Sequence, residues 1–126
     1  MADKSMTRVY VVDDEEVIAT SIAEILNLSG FSAAAFNDPI KVIEASQFES
    51  PGLLISDIVM PGMSGIDLAI KLKNICPDCN ILLLSGQANT LDHLKIANED
   101  GLLFTLLSKP VHPTDLLAAI KRLESE

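Results

Sequence analysis

Five short apolar runs punctuate the chain, at residues 9–12, 31–36, 53–56, 81–85 and 102–107. They are continuous rather than alternating, the pattern of parallel strands covered on both faces. The second run is the weakest, because Ala33, Ala34 and Ala35 offer little side chain to bury. Between the runs, apolar residues recur at helical spacing. Val17, Ile18, Ile22, Ile25 and Leu26 mark the first such segment, which Gly30 closes. Asp38-Pro39 opens the second with a capping carboxylate and a proline at the first helical position. Ser64 starts the third, with Ile66, Ala69 and Ile70 on one face. Leu91, Leu94 and Ala97 mark a fourth that ends near Gly101. The fifth runs from Thr114 through Leu116, Leu117, Ile120 and Leu123.

Five strand–helix units of this length predict an α/β fold around a parallel sheet. Right-handed crossovers with helices on both faces leave few topologies. The expected one is the doubly wound, flavodoxin-like order 2-1-3-4-5 with five helices. A length of 126 residues fits a single domain, 1–126, with a core spanning about residues 8–123. No linker, repeat or low-complexity segment interrupts it.

Composition narrows the functional classes. The net charge is −9, which argues against direct nucleic-acid binding and against anionic membrane surfaces. The start, MADKSMTRVY, is polar and lacks a leader pattern. No apolar stretch approaches the ~20 residues of a membrane helix. These features lead to the expectation of a cytoplasmic protein. The two cysteines, Cys76 and Cys79, form a C-P-D-C in a helix-to-strand turn. A second ligand pair for zinc is missing, and redox motifs of this spacing usually open a helix, so two loop thiols are the favoured reading.

Chemistry in such sheets gathers beyond the carboxyl ends of the strands. There the first run ends in Val12-Asp13-Asp14-Glu15, the third in Asp57, the fourth in Ser85-Gly86 and the fifth in Ser108-Lys109-Pro110. Each residue alone has an ordinary explanation. Asp14 could cap a helix, Asp57 could serve the turn before Pro61-Gly62, Ser85 could bond backbone, and Lys109 could be a solvated charge. Together they are harder to dismiss, because the fold puts them all at one edge. Two carboxylates about 5 Å apart at an effective dielectric of about 20 repel by about 3 kcal/mol. A divalent cation removes that cost, and a few oxygen ligands with room for water describe a Mg²⁺ site. A lysine on the other side makes the pocket fit to receive a phosphoryl group.

Four motifs carry a family likeness: VVDDEE, SDIVMPGMSG, LLLSGQA and SKP, in this order at the first, third, fourth and fifth strand ends. With them the sequence resembles the receiver domain of two-component response regulators, such as the single-domain chemotaxis regulators, over nearly its whole length. The resemblance implies a phosphoacceptor in a His-Asp phosphorelay rather than a turnover enzyme. It implies that Asp57 attacks the phosphorus of a phosphohistidine on a sensor kinase or histidine phosphotransfer protein. Asp14, Asp57 and the backbone carbonyl of Val59 would hold Mg²⁺, or Mn²⁺, with Asp13 acting mainly through metal-bound water. Lys109 would pair with phosphoryl oxygens, and the Ser85 hydroxyl would bond the phosphoryl group after transfer. A cis Lys109–Pro110 bond is also implied. The signal would leave through the surface of the fourth helix, fifth strand and fifth helix, toward a downstream protein or a C-terminal output domain.

One position departs from the family pattern. Many receivers carry an aromatic residue three before the lysine; here it is Leu106, with Phe104 two residues earlier. Val59 and Gln87 lack a charge or ready base to orient water, so slow self-dephosphorylation is expected. Two alternatives compete. A phosphohydrolase of the haloacid dehalogenase type needs a second acid two residues after the nucleophile, where this chain has Val59. A non-phosphorylated receiver-like docking module would lack the acid pair, the acceptor or the lysine, and all are present.

Overall fold

The computed structural model describes residues 8–86 and 105–124. In chain order the elements are β1 (Arg8–Val12), α1 (Glu16–Leu28), β2 (Ser32–Phe36), α2 (Pro39–Phe48), β3 (Leu53–Asp57), α3 (Gly65–Ile75), β4 (Asn80–Ser85) and β5 (Thr105–Ser108). The last helix, labelled α4 here, is Pro113–Glu124. The fourth helical segment expected around Leu91 to Ala97 lies outside the described residues, as do Gln87, Phe104 and the first three residues of the fifth apolar run.

All neighbouring strands are parallel, in the order β2-β1-β3-β4-β5. Alternation along the strands sorts the apolar side chains into two layers. Val9, Val11, Leu53, Ile55, Leu82 and Leu84 pack under α1 and α4. Tyr10, Val12, Leu54, Ile81 and Leu83 pack under α2 and α3. Burying each Leu or Ile contributes roughly 1.5–3 kcal/mol, so the two layers drive the fold together. Leu106 is half-buried and packs against the α2–α3 layer.

Local signals end the elements where the sequence suggests. Gly30 follows α1 with φ of 100°, a left-handed turn open to glycine. Asp38 accepts a hydrogen bond from the Ile40 N–H at 2.9 Å, with Pro39 at the first helical position. Ser64 accepts from the Asp67 N–H at 3.0 Å and starts α3.

The second strand differs from expectation. It is not covered on both faces: Ser32, Ala34 and Ala35 are exposed. The cause is its place at the edge of the sheet, combined with alanines too small to hold a helix against them. Its middle is tied instead to α1. The Asn27 amide donates to the Ala33 carbonyl at 3.2 Å and accepts from the Ala33 N–H at 2.8 Å.

Candidate functional site: an acidic pocket at the strand ends

The register sets the site. Val12 pairs with Ser56, Asp57 with Leu84, and Ser85 with Ser108, so β1, β3, β4 and β5 all finish at one level. Asp13, Asp57 and Lys109 therefore leave the sheet side by side. The Lys109 ammonium lies 2.8 Å from Asp13 Oδ2 and 3.3 Å from Asp57 Oδ1. Asp13, Asp14 and Asp57 each offer one carboxylate oxygen within 4.8 Å of the others. Three carboxylates against one ammonium leave a local charge of −2.

The N-cap of α1 is Glu15, so Asp14 does not cap the helix; its side chain is exposed at the pocket mouth. Lys109 is not a solvated charge, since only 20% of its side chain is accessible and it bridges two acids. Asp13 is almost wholly buried, and its other oxygen, Oδ1, accepts from the Glu15 N–H at 2.9 Å. Ser85 is buried at the end of β4, where its carbonyl accepts from the Lys109 N–H at 2.8 Å. The Lys109–Pro110 peptide bond that follows is cis. Val59 follows Asp57 by two residues and exposes its side chain.

Burial raises the pKa of Asp57; Lys109 pulls it back, while Asp13 and Asp14 push it up, and it settles above the usual carboxylate value. For Lys109, burial works against the charge, yet the Asp13 hydrogen bond and both carboxylates outweigh it and hold the ammonium above its usual value. The lysine stays charged and the buried acid is under-compensated, an arrangement suited to a hard divalent cation. All three donors are oxygens, as Mg²⁺ or Mn²⁺ prefers.

Gly65 escaped the sequence reading. A Cβ at this position would collide with the carbonyl oxygen of Asp57 and lie 2.9 Å from Ser56 Oγ. The Gly65 N–H donates to the Ile58 carbonyl at 2.8 Å, and Ser56 Oγ–H donates to the Asp57 carbonyl at 2.8 Å. The Ile58 N–H in turn donates to the Leu84 carbonyl at 3.0 Å. The first residue of α3 is thus seated against the backbone that carries Asp57. The only sequence signal was a glycine straight after a helix cap, a poor helix former with no other reason to be there.

Comparison with known proteins places the chain in a family. The family model for the response regulator receiver domain matches residues 9–121. The response regulator receiver protein CpdR of Brucella abortus is 32% identical over 94% of this chain and 97% of its own length. The response regulator MprA of Mycobacterium leprae is 28% identical over 92% of this chain and 50% of its own. The DNA-binding transcriptional regulator NtrC of Escherichia coli is 31% identical over 90% of this chain but only 24% of its own. Among solved structures, a receiver domain from Clostridium thermocellum superposes with a TM-score of 0.81 at 29% identity, covering 92% of each chain. One from Methanospirillum hungatei gives 0.83 at 25% identity, covering 94% of this chain and 93% of that one. The chain belongs to the response regulator receiver family of two-component signalling. It spans almost all of one relative, half of another and a quarter of a third. Among the described residues no helix is long and apolar enough to cross a membrane.

Proposed function

We propose that this receiver is a phosphoacceptor in a His-Asp relay and that Asp57 takes the phosphoryl group. The observation that carries this reading is the setting of Asp57, a buried carboxylate at the end of a rigid central strand, 3.3 Å from a lysine and within metal-ligand reach of two further acids. One Asp57 oxygen attacks the phosphorus in line; the new P–O bond forms as the P–N bond to the donor histidine breaks, and the nitrogen leaves as imidazole. Asp14, Asp57 and the Val59 carbonyl would hold Mg²⁺, or Mn²⁺, which when bound would supply positive charge to the phosphoryl oxygens. Asp13 would act through water, a role supported by its two oxygens already serving Lys109 and the Glu15 N–H. Lys109 pairs with a phosphoryl oxygen, and the Ser85 hydroxyl bonds another once transfer is complete.

The donor is a sensor histidine kinase or a histidine phosphotransfer protein in the cytoplasm. The chain turns over no substrate beyond its own phosphorylation and slow dephosphorylation. The exposed, apolar Val59 side chain at the position where a phosphohydrolase carries its second acid speaks for a long-lived phosphate. The modified domain signals through the surface of β5, α4 and the segment before β5, to a downstream protein or an attached output domain and not to nucleic acid directly. Leu106, packed against the α2–α3 layer, repacks without the ring swing open to an aromatic residue there.

Acetyl phosphate with Mg²⁺, followed by intact mass and peptide mapping, tests the proposal. One alkali-labile phosphoryl adduct on Asp57 is expected, absent in Asp57→Asn and absent when the metal is chelated. Undiminished labelling of that variant would move the acceptor elsewhere. An unmodified wild-type chain would favour a docking module.

A further inference from the structure

Cys76 caps the C-terminal end of α3, and Cys79 immediately precedes β4. The Cys79 N–H donates to the Cys76 carbonyl at 3.0 Å, which closes residues 76–79 into a hydrogen-bonded turn. Such a turn keeps its outer Cα atoms within about 7 Å, against the roughly 4.4–6.8 Å that a disulfide spans. Both side chains turn inward: Cys76 is 7% and Cys79 1% exposed, within the α2–α3 core layer. The Cys79 thiol donates to the Asn80 carbonyl at 3.3 Å. A cavity of about 380 Å³ opens beside them, lined by Ser50, Pro51, Gly52 and Pro77 as well as both cysteines. Lys73 donates to the Pro77 carbonyl at 3.3 Å, so its ammonium and the Asp78 carboxylate both stand at this turn.

We propose that Cys76 and Cys79 are a reversible dithiol–disulfide couple, oxidised by a low-molecular-weight disulfide that enters this cavity. The Cys76 thiol, the more accessible of the two, loses its proton and attacks one sulfur of the incoming disulfide. Its S–S bond breaks and one thiolate leaves. Cys79 then loses its proton and attacks Cys76 Sγ, expelling the second thiolate. Two protein thiols are oxidised, one disulfide is reduced to two thiols, and the two protons end on the products. The product ties the end of α3 to the start of β4 without opening the turn. Burial pushes both thiols up, Cys79 to about 12, so few thiolates are present near neutrality. The couple is therefore slow and stoichiometric, unlike the exposed, acidic cysteines of thiol–disulfide enzymes.

This proposal is independent of Asp57. Asn80, beside Cys79, pairs with Leu53, and Asp57 lies four residues along β3, about 13 Å away at strand rise. The full chain is reduced, freed of reductant, equilibrated across ratios of reduced to oxidised glutathione, quenched in acid, unfolded, and alkylated for intact mass. Expected is the joint loss of both alkylation sites with a mass two hydrogens lower and no retained glutathione. Reduction should restore both thiols. Cys79→Ala, chosen because a small apolar residue suits the site, should instead accumulate a glutathione adduct on Cys76. Acetyl phosphate labelling of Asp57 should be equal in both redox states, a control that reports separately on the phosphoacceptor proposal. Two alkylated thiols at every ratio, a lasting adduct in the wild type, or disulfides only between chains would each overturn the couple.

Discussion

At one end of β3 and β4 stand Asp57, Leu84 and Ser85; at the other stand Leu53, Asn80 and Cys79. The strands between are buried throughout, so both ends belong to one rigid body. Their chemistry differs in kind. The Asp57 end gathers three carboxylates and a lysine around partly buried space. The Cys79 end gathers two neutral thiols against the apolar core. Buried charge is costly and persists where a partner offsets it, while a thiol is tolerated as a small apolar group. The acidic end should therefore respond to metal and pH, and the thiol end to oxidant alone.

The most severe way to break this contrast is Gly65→Ala. One methyl group meets the carbonyl of Asp57, and backbone cannot step aside as a flexible side chain can. Either α3 tilts away or β3 shifts, with an expected loss of about 3 kcal/mol or more in urea unfolding. Metal binding and Asp57 labelling should fall in the fraction that still folds. A variant as stable as the parent would show that α3 does not hold the strand end.

Lys109→Ala should come next. It strands the buried Asp13 carboxylate and removes the only cation paired with Asp57 among the described residues. The lysine side chain is partly solvated, so a cost of about 2–3 kcal/mol is expected, below that of breaking a fully buried pair. Saturating Mg²⁺ should recover part of it, because the ion and the ammonium compensate the same acids. Calorimetry with and without Mg²⁺ measures both. Equal metal responses in variant and parent would mean the lysine and the ion do not share that role.

Asp57→Asn gives the smallest effect and the clearest pH signature. The folded-state pKa of Asp57 is raised, chiefly by burial, so the folded protein holds this proton more tightly than the unfolded chain does. Ionisation therefore costs stability as pH climbs from the unfolded value through the folded one. Below the unfolded value, about 3.9, both states carry the proton and the cost vanishes. Without metal at pH 7 the variant should be more stable than the parent by about 1 kcal/mol or less, an advantage that closes in acid. With Mg²⁺ the order should reverse, since the parent alone keeps the full ligand set. A destabilised variant at pH 7 in chelator would contradict the assigned shift. Neither Lys109→Ala nor Asp57→Asn should alter alkylation of Cys76 and Cys79.

Most of the sheet was legible because strand periodicity and punctuation are local properties. The continuous runs, Asp38-Pro39, Gly30 and Ser64 each state their role within a few residues, and the topology follows from connection rules. The acids and lysine were legible for a different reason: the fold sends all strand ends to one side, so their meeting needs no contact information. What stayed hidden depends on long-range contact. Nothing near residue 65 says that the Asp57 carbonyl will press against it. Nothing in Asp13-Asp14 says that the first will be buried on a lysine ninety-six positions away while the second faces solvent. The alanine run read as a covered strand from its continuity alone, although the expected order already put it at an edge, where alanines are too small to hold a helix against both faces. That the two thiols of the helix-to-strand turn are buried was not legible, because burial of a turn depends on what packs behind it.

Asn27 gives that edge a further meaning. A border strand exposes ladder groups that another chain can adopt, and proteins usually discourage this with charge or proline. Residues 32–37 contain neither. The Asn27 amide, which donates to and accepts from Ala33, occupies the place that a foreign strand would need. One side chain in the last turn of α1 thus guards the middle of this edge. Crowding, concentration and heat should test this molecule at Ala33 before they reach its buried layers, because a guard held by two exposed hydrogen bonds opens more readily than a packed core.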